Sequence, residues 1–378
     1  MTAPPSRNSP GRPDLTRRPD CRDDIEVNCD PPHSSALVAW RGDGAYAAGV
    51  GSYIGIAEAR DRVGRWIARC PFQRADGAIA GVLDVAGAPL YLYGEIAGYW
   101  LRWSALYAPD PVRMSCAIAW LTRQWSGPGP GATRLGAMDD WRNRAVFSFD
   151  VAMILRGLAD VAPLLGEARL EGLARRLSAW LEVMVNPEGR LDACRGVGSE
   201  ALPDRWSTRE GPFQTKTAAA VLDTPASWTS PRVHAAARRT LAHWKGRAGE
   251  QRDWHPRLYA LEGDPGPEGK GDIAGLVAGS PAVGIFTEAV DDSTSVRRAD
   301  VQAQALRLLT LGPGASPSIV RRVAAGLLPH IRKDGSIGFS LDDSGSNVWC
   351  ALFAHQALDW ACTLVGQPGR TPDRHDII

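Results

Sequence analysis

The segments A-R-L-E-G-L-A-R-R-L-S-A-W-L-E (168–182) and T-K-T-A-A-A-V-L-D (215–223) lie on either side of the turn N-P-E-G-R-L (186–191). The first spaces apolar residues at helical intervals with Arg and Glu between them, which predicts a helix with one wet face. The second has almost no wet face, so in a soluble chain it is a buried helix. The same couple recurs along the chain: a charged helix, then an apolar one, with turns holding D-G or E-G such as A-D-G-A-I-A-G (75–81) and K-D-G-S-I-G-F (333–339). Helical patterns fall at 57–69 and 95–107, 111–125 and 149–163, 169–184 and 212–223, 231–247 and 254–262, and 317–332 and 347–363. A sixth pair consists of a degraded first helix near 270–279 followed by 298–311. Six antiparallel pairs of exposed and buried helices predict an all-α fold, the (α/α)6 toroid, with outer helices ringed around inner ones. An α-solenoid is the alternative, but its repeats are more uniform and its loops shorter.

Residues 1–33, rich in Pro, Arg and Asp, are predicted to be a disordered or draped arm. Residues 34–378 then form the toroid domain, entered through a hairpin turning at Gly42–Gly44. Of the 378 residues, 44% are hydrophobic and 22% charged, enough for a large core, and the net charge of +1 gives no field to hold nucleic acid. No apolar run spans a bilayer. The seven cysteines are scattered without a C-x-x-C pair, which argues against a disulfide framework or a Cys-based zinc site. A cytoplasmic protein without metal or cofactor is the expectation.

Polar files interrupt two of the apolar helices. His255, Tyr259 and Glu262 stand at i, i+4 and i+7, and Asp300, Gln304 and Arg307 repeat that spacing. Turned inward in a ring, the two files would line one cavity; turned outward, they are ordinary solvent-facing sides. His255 precedes Pro256 at a helix start, where the N-terminal dipole disfavours imidazolium and leaves a neutral base. Glu262 and Asp300 are candidates for a carboxylate pair of the kind glycoside hydrolysis requires. Glu95 and Tyr99 open another apolar helix, and Asp150 begins a third; helix capping accounts equally well for either acid. The stretch R-W-S-T-R-E-G-P-F-Q-T-K (205–216) brings Arg205, Trp206, Gln214 and Lys216 to a helix entrance. Arginine on a carboxylate beside an aromatic face suits an anionic sugar. Asn347 and Trp349 open the last apolar helix and complete the candidate substrate-binding set.

The segment Y-L-Y-G-E-I-A-G-Y-W (91–100) resembles the E-x-T-G-Y segment that opens an inner helix in bacterial (α/α)-toroid proteins of polysaccharide metabolism. These include relatives of glucuronyl C5-epimerases and six-hairpin glycosidases. F-S-F-D-V-A-M-I-L-R-G-L (147–158) is similar to their F-D-x-x-x-x-x-x-G-L helix, and R-A-D-V-Q-A-Q-A-L-R (298–307) and N-V-W-C-A-L-F-A-H-Q-A-L (347–358) are similar too. Ala97 stands where the Thr of the first motif is usual, so a hydroxyl contact is missing. Over about residues 58–365 the resemblance implies the toroid and an enzyme acting on an anionic saccharide in exopolysaccharide metabolism, its partner a small-molecule or oligosaccharide substrate. The reaction would be hydrolysis, or elimination or epimerisation begun by proton abstraction. Two other classes stay open: a toroid cyclase of an isoprenoid or peptide, and a non-catalytic saccharide-binding protein. E-A-V-D-D-S-T (288–294) approaches the D-x-D-D acid of terpene cyclases, but Ala289 stands at its first Asp.

Overall fold

The structure, a computed structural model, describes residues 55–126, 132–136, 140–198, 201–264, 286–287, 289, 296–312 and 315–377. The arm at 1–33, the hairpin at Gly42–Gly44, the helix expected at 270–279 and the acidic run Asp291–Asp292 lie outside the described residues.

Eleven α-helices are present among the described residues: α1 (Ile56–Arg69), α2 (Gly94–Tyr107), α3 (Pro111–Gln124), α4 (Ser148–Leu165), α5 (Glu167–Val183), α6 (Gln214–Leu222), α7 (Pro231–Trp244), α8 (Trp254–Gly263), α9 (Ala299–Leu311), α10 (Pro317–Leu327) and α11 (Val348–Leu364). Each expected helix in these regions is found within a few residues of its predicted ends. Six of them, α2, α4, α6, α8, α9 and α11, form a closed inner ring, each packed on the next and α11 back on α2. The outer helices α3, α5, α7 and α10 pack on inner helices, and α1 packs on α11. Burial follows the sequence pattern: α1 buries only Ala59, Val63, Trp66 and Ile67, whereas α11 buries nearly every residue from Val348 to Cys362. Outer helices α3, α7 and α10 each start with a capping side chain followed by proline, at Asp110, Ser230 and Ser316.

The D-G and E-G turns hold the outer layer in sequence. Three of them are tied by single bridges of identical span, Gln73 to Ile79, Val185 to Leu191 and Ile331 to Ile337. Their glycines, Gly77, Gly189 and Gly335, have φ of +88°, +74° and +94°. A Cβ on Gly77 would meet Cys116 O of α3 at 2.1 Å, one on Gly189 would meet Arg239 Nη1 of α7 at 2.2 Å, and one on Gly335 would meet Arg62 O of α1 at 2.2 Å. Each turn therefore docks the end of one outer helix on another, and the last of the three returns to the first outer helix.

Short strands, for which the sequence carries no signal, lie near the entrances to inner helices. They are β1 (Ala80–Leu83), β2 (Pro89–Tyr93), β3 (Arg134–Gly136), β4 (Ala145–Phe147), β5 (Cys194–Gly196) and β6 (Ser346–Asn347). β1, β2, β3 and β6 form an antiparallel sheet in the order β3-β2-β1-β6, and β4 pairs with β5. Strands this short carry no legible alternation. Their effect is positional: β2 runs directly into α2, β4 into α4 and β6 into α11.

Candidate functional site

Two carboxyls lie in the first turns of α2 and α4. Glu95 and Asp150 are 8% and 2% exposed. The helices carrying them cross closely: a Cβ on Gly98 would meet Met153 O at 2.4 Å, and one on Gly157 would meet Gly98 O at 2.3 Å. Asp150 lies in side-chain hydrogen-bonding range of Glu95, Tyr93 and Thr133, yet no N–H or O–H is aimed at its Oδ2. A carboxyl proton shared by the two acids would satisfy that oxygen. Burial pushes Glu95 up to about 7, against the pull of Tyr93 and Lys216. Burial, then the charge of Glu95, pushes Asp150 well above the usual carboxylate range.

A second cluster joins α8 and α9. His255 Nδ1 lies 2.8 Å from Gln304 Oε1 and 3.1 Å from Asp300 Oδ2. Both are acceptors, so Nδ1 carries the proton and Nε2 is the basic nitrogen. Burial lowers the imidazole to about 4, although Asp300 opposes it. Desolvation, rather than the helix end, is thus the leading cause that favours the neutral ring. Arg298 grips Asp300 with two bonds of 3.1 and 2.8 Å, and Trp349 Nε1 donates to it at 3.4 Å. Burial disfavours the Asp300 carboxylate, but Arg298 and His255 outweigh it and hold the group below its usual range.

Between these clusters lies a buried charge triad. Lys216 Nζ of α6 donates to Glu262 Oε2 of α8 at 2.7 Å, and Arg307 of α9 donates to Glu262 Oε1. Lys216 Nζ sits 4.5, 5.2, 5.3 and 6.0 Å from the ring centres of Tyr259, Tyr99, Phe353 and Phe149. Burial lowers the Lys216 ammonium to about 8, opposed by Glu262. Glu262, despite its burial, is held below its usual range by Arg307 and Lys216. Tyr99 donates to the Tyr259 hydroxyl at 3.4 Å, and Tyr259 packs on His255 with ring centres 4.3 Å apart, so the three clusters are contiguous.

The candidate residues sort by what their side chains touch. Glu95, Tyr99, Asp150, Lys216, His255, Tyr259, Glu262, Asp300 and Gln304 belong to this connected interior. Trp206, in a single 3-10 turn, stacks edge-on against His255 at 5.8 Å, and the adjacent Arg205 is exposed. Trp349 reaches the interior through Asp300. Gln214 and Asn347 do backbone work: Gln214 accepts from Gly211 N and donates to Leu191 O, and Asn347 caps Cys350 N. Arg307 is wholly buried, bonded to Glu262 and Gln356 and stacked 4.0 Å from the Phe353 ring centre. Glu262 and Asp300, the expected carboxylate pair, are each bonded to cations. The acids that share surroundings are Glu95 and Asp150. Tyr93, Thr133, Phe149, Arg298 and Phe353 were not singled out in the sequence. Only Phe149 and Arg298 carried a signal, as close neighbours of Asp150 and Asp300.

Among the described residues no cluster of three or more His, Cys, Asp or Glu is placed to hold a metal ion, and no helix is long and apolar enough to cross a membrane. No protein-family model and no curated protein matches the chain. Solved structures do. D-mannose isomerase matches with a TM-score of 0.60 at 10% identity, covering 84% of this chain and 100% of that one. An unsaturated glucuronyl hydrolase specific for heparin matches with a TM-score of 0.56 at 13% identity, covering 82% and 96%. An α-amylase from Clostridium perfringens matches with a TM-score of 0.58 at 10% identity, covering 79% and 96%. At such identities the likeness establishes the fold, the (α/α)6 toroid that the sequence pattern predicts, and assigns no residue a role.

Proposed function

We propose that this protein is a carbohydrate-active enzyme that works by proton transfer, with Glu95 and Asp150 as its acid–base pair. The observation that carries the reading is the buried Asp150, within side-chain hydrogen-bonding range of Glu95 and with its Oδ2 unsatisfied, beside a Glu95 poised at about 7. A group poised near neutrality moves protons best at neutral pH. Carboxyls close enough to share a proton are nearer than the ~5–5.5 Å of retaining or the ~6.5–9.5 Å of inverting glycosidases. Isomerisation, epimerisation or elimination therefore suits them better than displacement at an anomeric carbon. His255, fixed by Asp300 and Gln304, offers a second proton acceptor at Nε2. Neighbours named as a sugar isomerase and as sugar hydrolases agree with a saccharide substrate.

Preference for an anionic sugar rests on the exposed Arg205 beside Trp206, since Lys216 lies buried against Glu262. The cyclase reading loses support for a similar reason: the aromatic box that would stabilise a carbocation encloses Lys216. The test is a panel of aldoses, ketoses and uronate oligosaccharides incubated in deuterated water. Isomerisation or epimerisation returns solvent deuterium to the carbon that lost its proton, whereas elimination expels the leaving group and leaves a C=C bond there. Glu95→Gln and Asp150→Asn should each lower turnover at least ~100-fold, in the range of a lost general acid–base group, with the fold intact. Full activity in both variants, or hydrolysis with no deuterium entering any carbon, sinks the assignment.

A further inference from the structure

The segment following α11 crosses the far ends of the inner helices. Arg374 donates to the carbonyls of Leu261 at 2.8 Å and Glu262 at 3.0 Å, and to that of Asp264, so it serves the last turn of α8. Those carbonyls have no partner within the helix, and a cation there also meets the negative end of the dipole. Arg370 donates to Leu106 O at the end of α2, 3.1 Å away, and pairs with Asp376 at 3.0 Å. Arg102 of α2 and Arg156 of α4 both donate to His375 O.

Two separate routes run from this segment to one side chain. The first is direct: Arg374 holds the backbone carbonyl of Glu262. The second starts at Asp376 O, which accepts from Gln356 Nε2 at 2.6 Å; Gln356 Oε1 accepts from Arg307 at 3.2 Å, and Arg307 binds the Glu262 carboxylate. Glu262 is thus gripped at both ends by groups that the segment itself orients, and Glu262 in turn anchors Lys216 within its four rings.

We propose that residues 370–376 form a strap that sets the position of the Glu262–Lys216 pair, with Arg374 as the positioning residue. The inference extends the site reading above, since Lys216 lies beside Glu95, but its test needs no substrate. It can therefore fail while the acid–base assignment stands, and the reverse also holds. The chain has four lysines, at 216, 245, 270 and 333. Lys245 and Lys333 are exposed and serve as internal standards.

The full chain is labelled with trace acetic anhydride well below its melting temperature, and acetylation of Lys216 is read relative to Lys245 and Lys333. Lys216 should be strongly protected in the native chain. Arg374→Ala should raise its relative labelling by about tenfold or more, the signature of a local opening. Arg370→Ala, which frees the strap at α2 and at Asp376 but leaves the direct Arg374 contacts with α8, should raise it by a clearly smaller factor, about two- to threefold. If Arg374→Ala yields no folded protein, Arg374→Lys replaces it. That variant keeps one cation but loses the fork, and an intermediate rise is expected. Unchanged protection of Lys216 in the folded Arg374 variant overturns the proposal. So does an equal rise in Arg370→Ala, which would mean general loosening rather than positioning.

Discussion

Glu95 has a measurable consequence that requires no substrate. Its carboxyl is raised from an ordinary 4.5 to about 7 by burial. The protonated acid's stabilisation is complete below pH 4.5 and is lost as the pH rises through 7. His255, lowered from 6.5 to about 4, acts in the opposite sense: its contribution is present above pH 6.5 and is lost on the way down to 4. His330 and His355, lowered to about 4 and about 3, follow His255. The raw pH profile therefore mixes opposing trends, and the difference between wild type and Glu95→Gln isolates one. Relative to wild type, Glu95→Gln should be more stable at pH 8 than at pH 5, measured as the change in the melting-temperature difference. A constant difference across that range would mean that Glu95 titrates normally. Glu262 gives a second prediction. Glu262→Gln removes the carboxylate that Lys216 and Arg307 share in the interior and should cost about 3–5 kcal/mol. Lys216→Met, which keeps Glu262 paired with Arg307, should cost clearly less in the same urea titration.

At the level of elements, the D-G turns combine two physical demands that substitution can separate. Gly335 and Gly87 both have left-handed backbones, with φ of +94° and +81°. Around Gly87 an added Cβ meets nothing within 4 Å, whereas at Gly335 it would lie 2.2 Å from Arg62 O. Gly87→Ala should thus cost only the backbone strain, about 1–2 kcal/mol. Gly335→Ala carries that strain and also pushes the turn off α1, so its loss in chemical denaturation should be distinctly larger. Equal losses would show that the docking of this turn contributes nothing. The inner helices raise a different matter. α2 and α4 have no side-chain caps and emerge from short strands. The strands aim the first turns of these helices, and with them Glu95 and Asp150. That arrangement was not legible beforehand, because strands of two to five residues lack a periodic pattern.

Across the whole molecule, closure comes from contacts between segments far apart in sequence. α11 packs on α2, β6 pairs with β1, and the turn at Gly335 lands on α1. The strap at 370–376 adds a fourth link across the opposite ends of α2, α4, α8 and α11. The interior enclosed by this ring is crowded with charge. Lys216, Arg298 and Arg307 are set against Glu262 and Asp300, with Glu95 and Asp150 buried beside them. Buried ions are tolerated only when paired and hydrogen-bonded, and each of these cations has a carboxylate partner.

The sequence by itself determined which helices are wet and which are dry, where the turns require glycine, and hence the double ring. Those features depend on local periodicity and backbone sterics, and both are written within a dozen residues. It also marked most of the residues that meet in the interior, because a polar group on an otherwise apolar helix must find a partner. Only the tertiary structure decided the partners. The spacing of His255, Tyr259 and Glu262 places them on one helix face but says nothing of what α6 and α9 present opposite them. Lys216 and Arg307 arrive there and neutralise Glu262, while the glycine-permitted crossing of α2 and α4 brings Glu95 beside Asp150. Which carboxyl is quenched by a cation and which keeps a proton is a property of distances between helices, and no single helix encodes it.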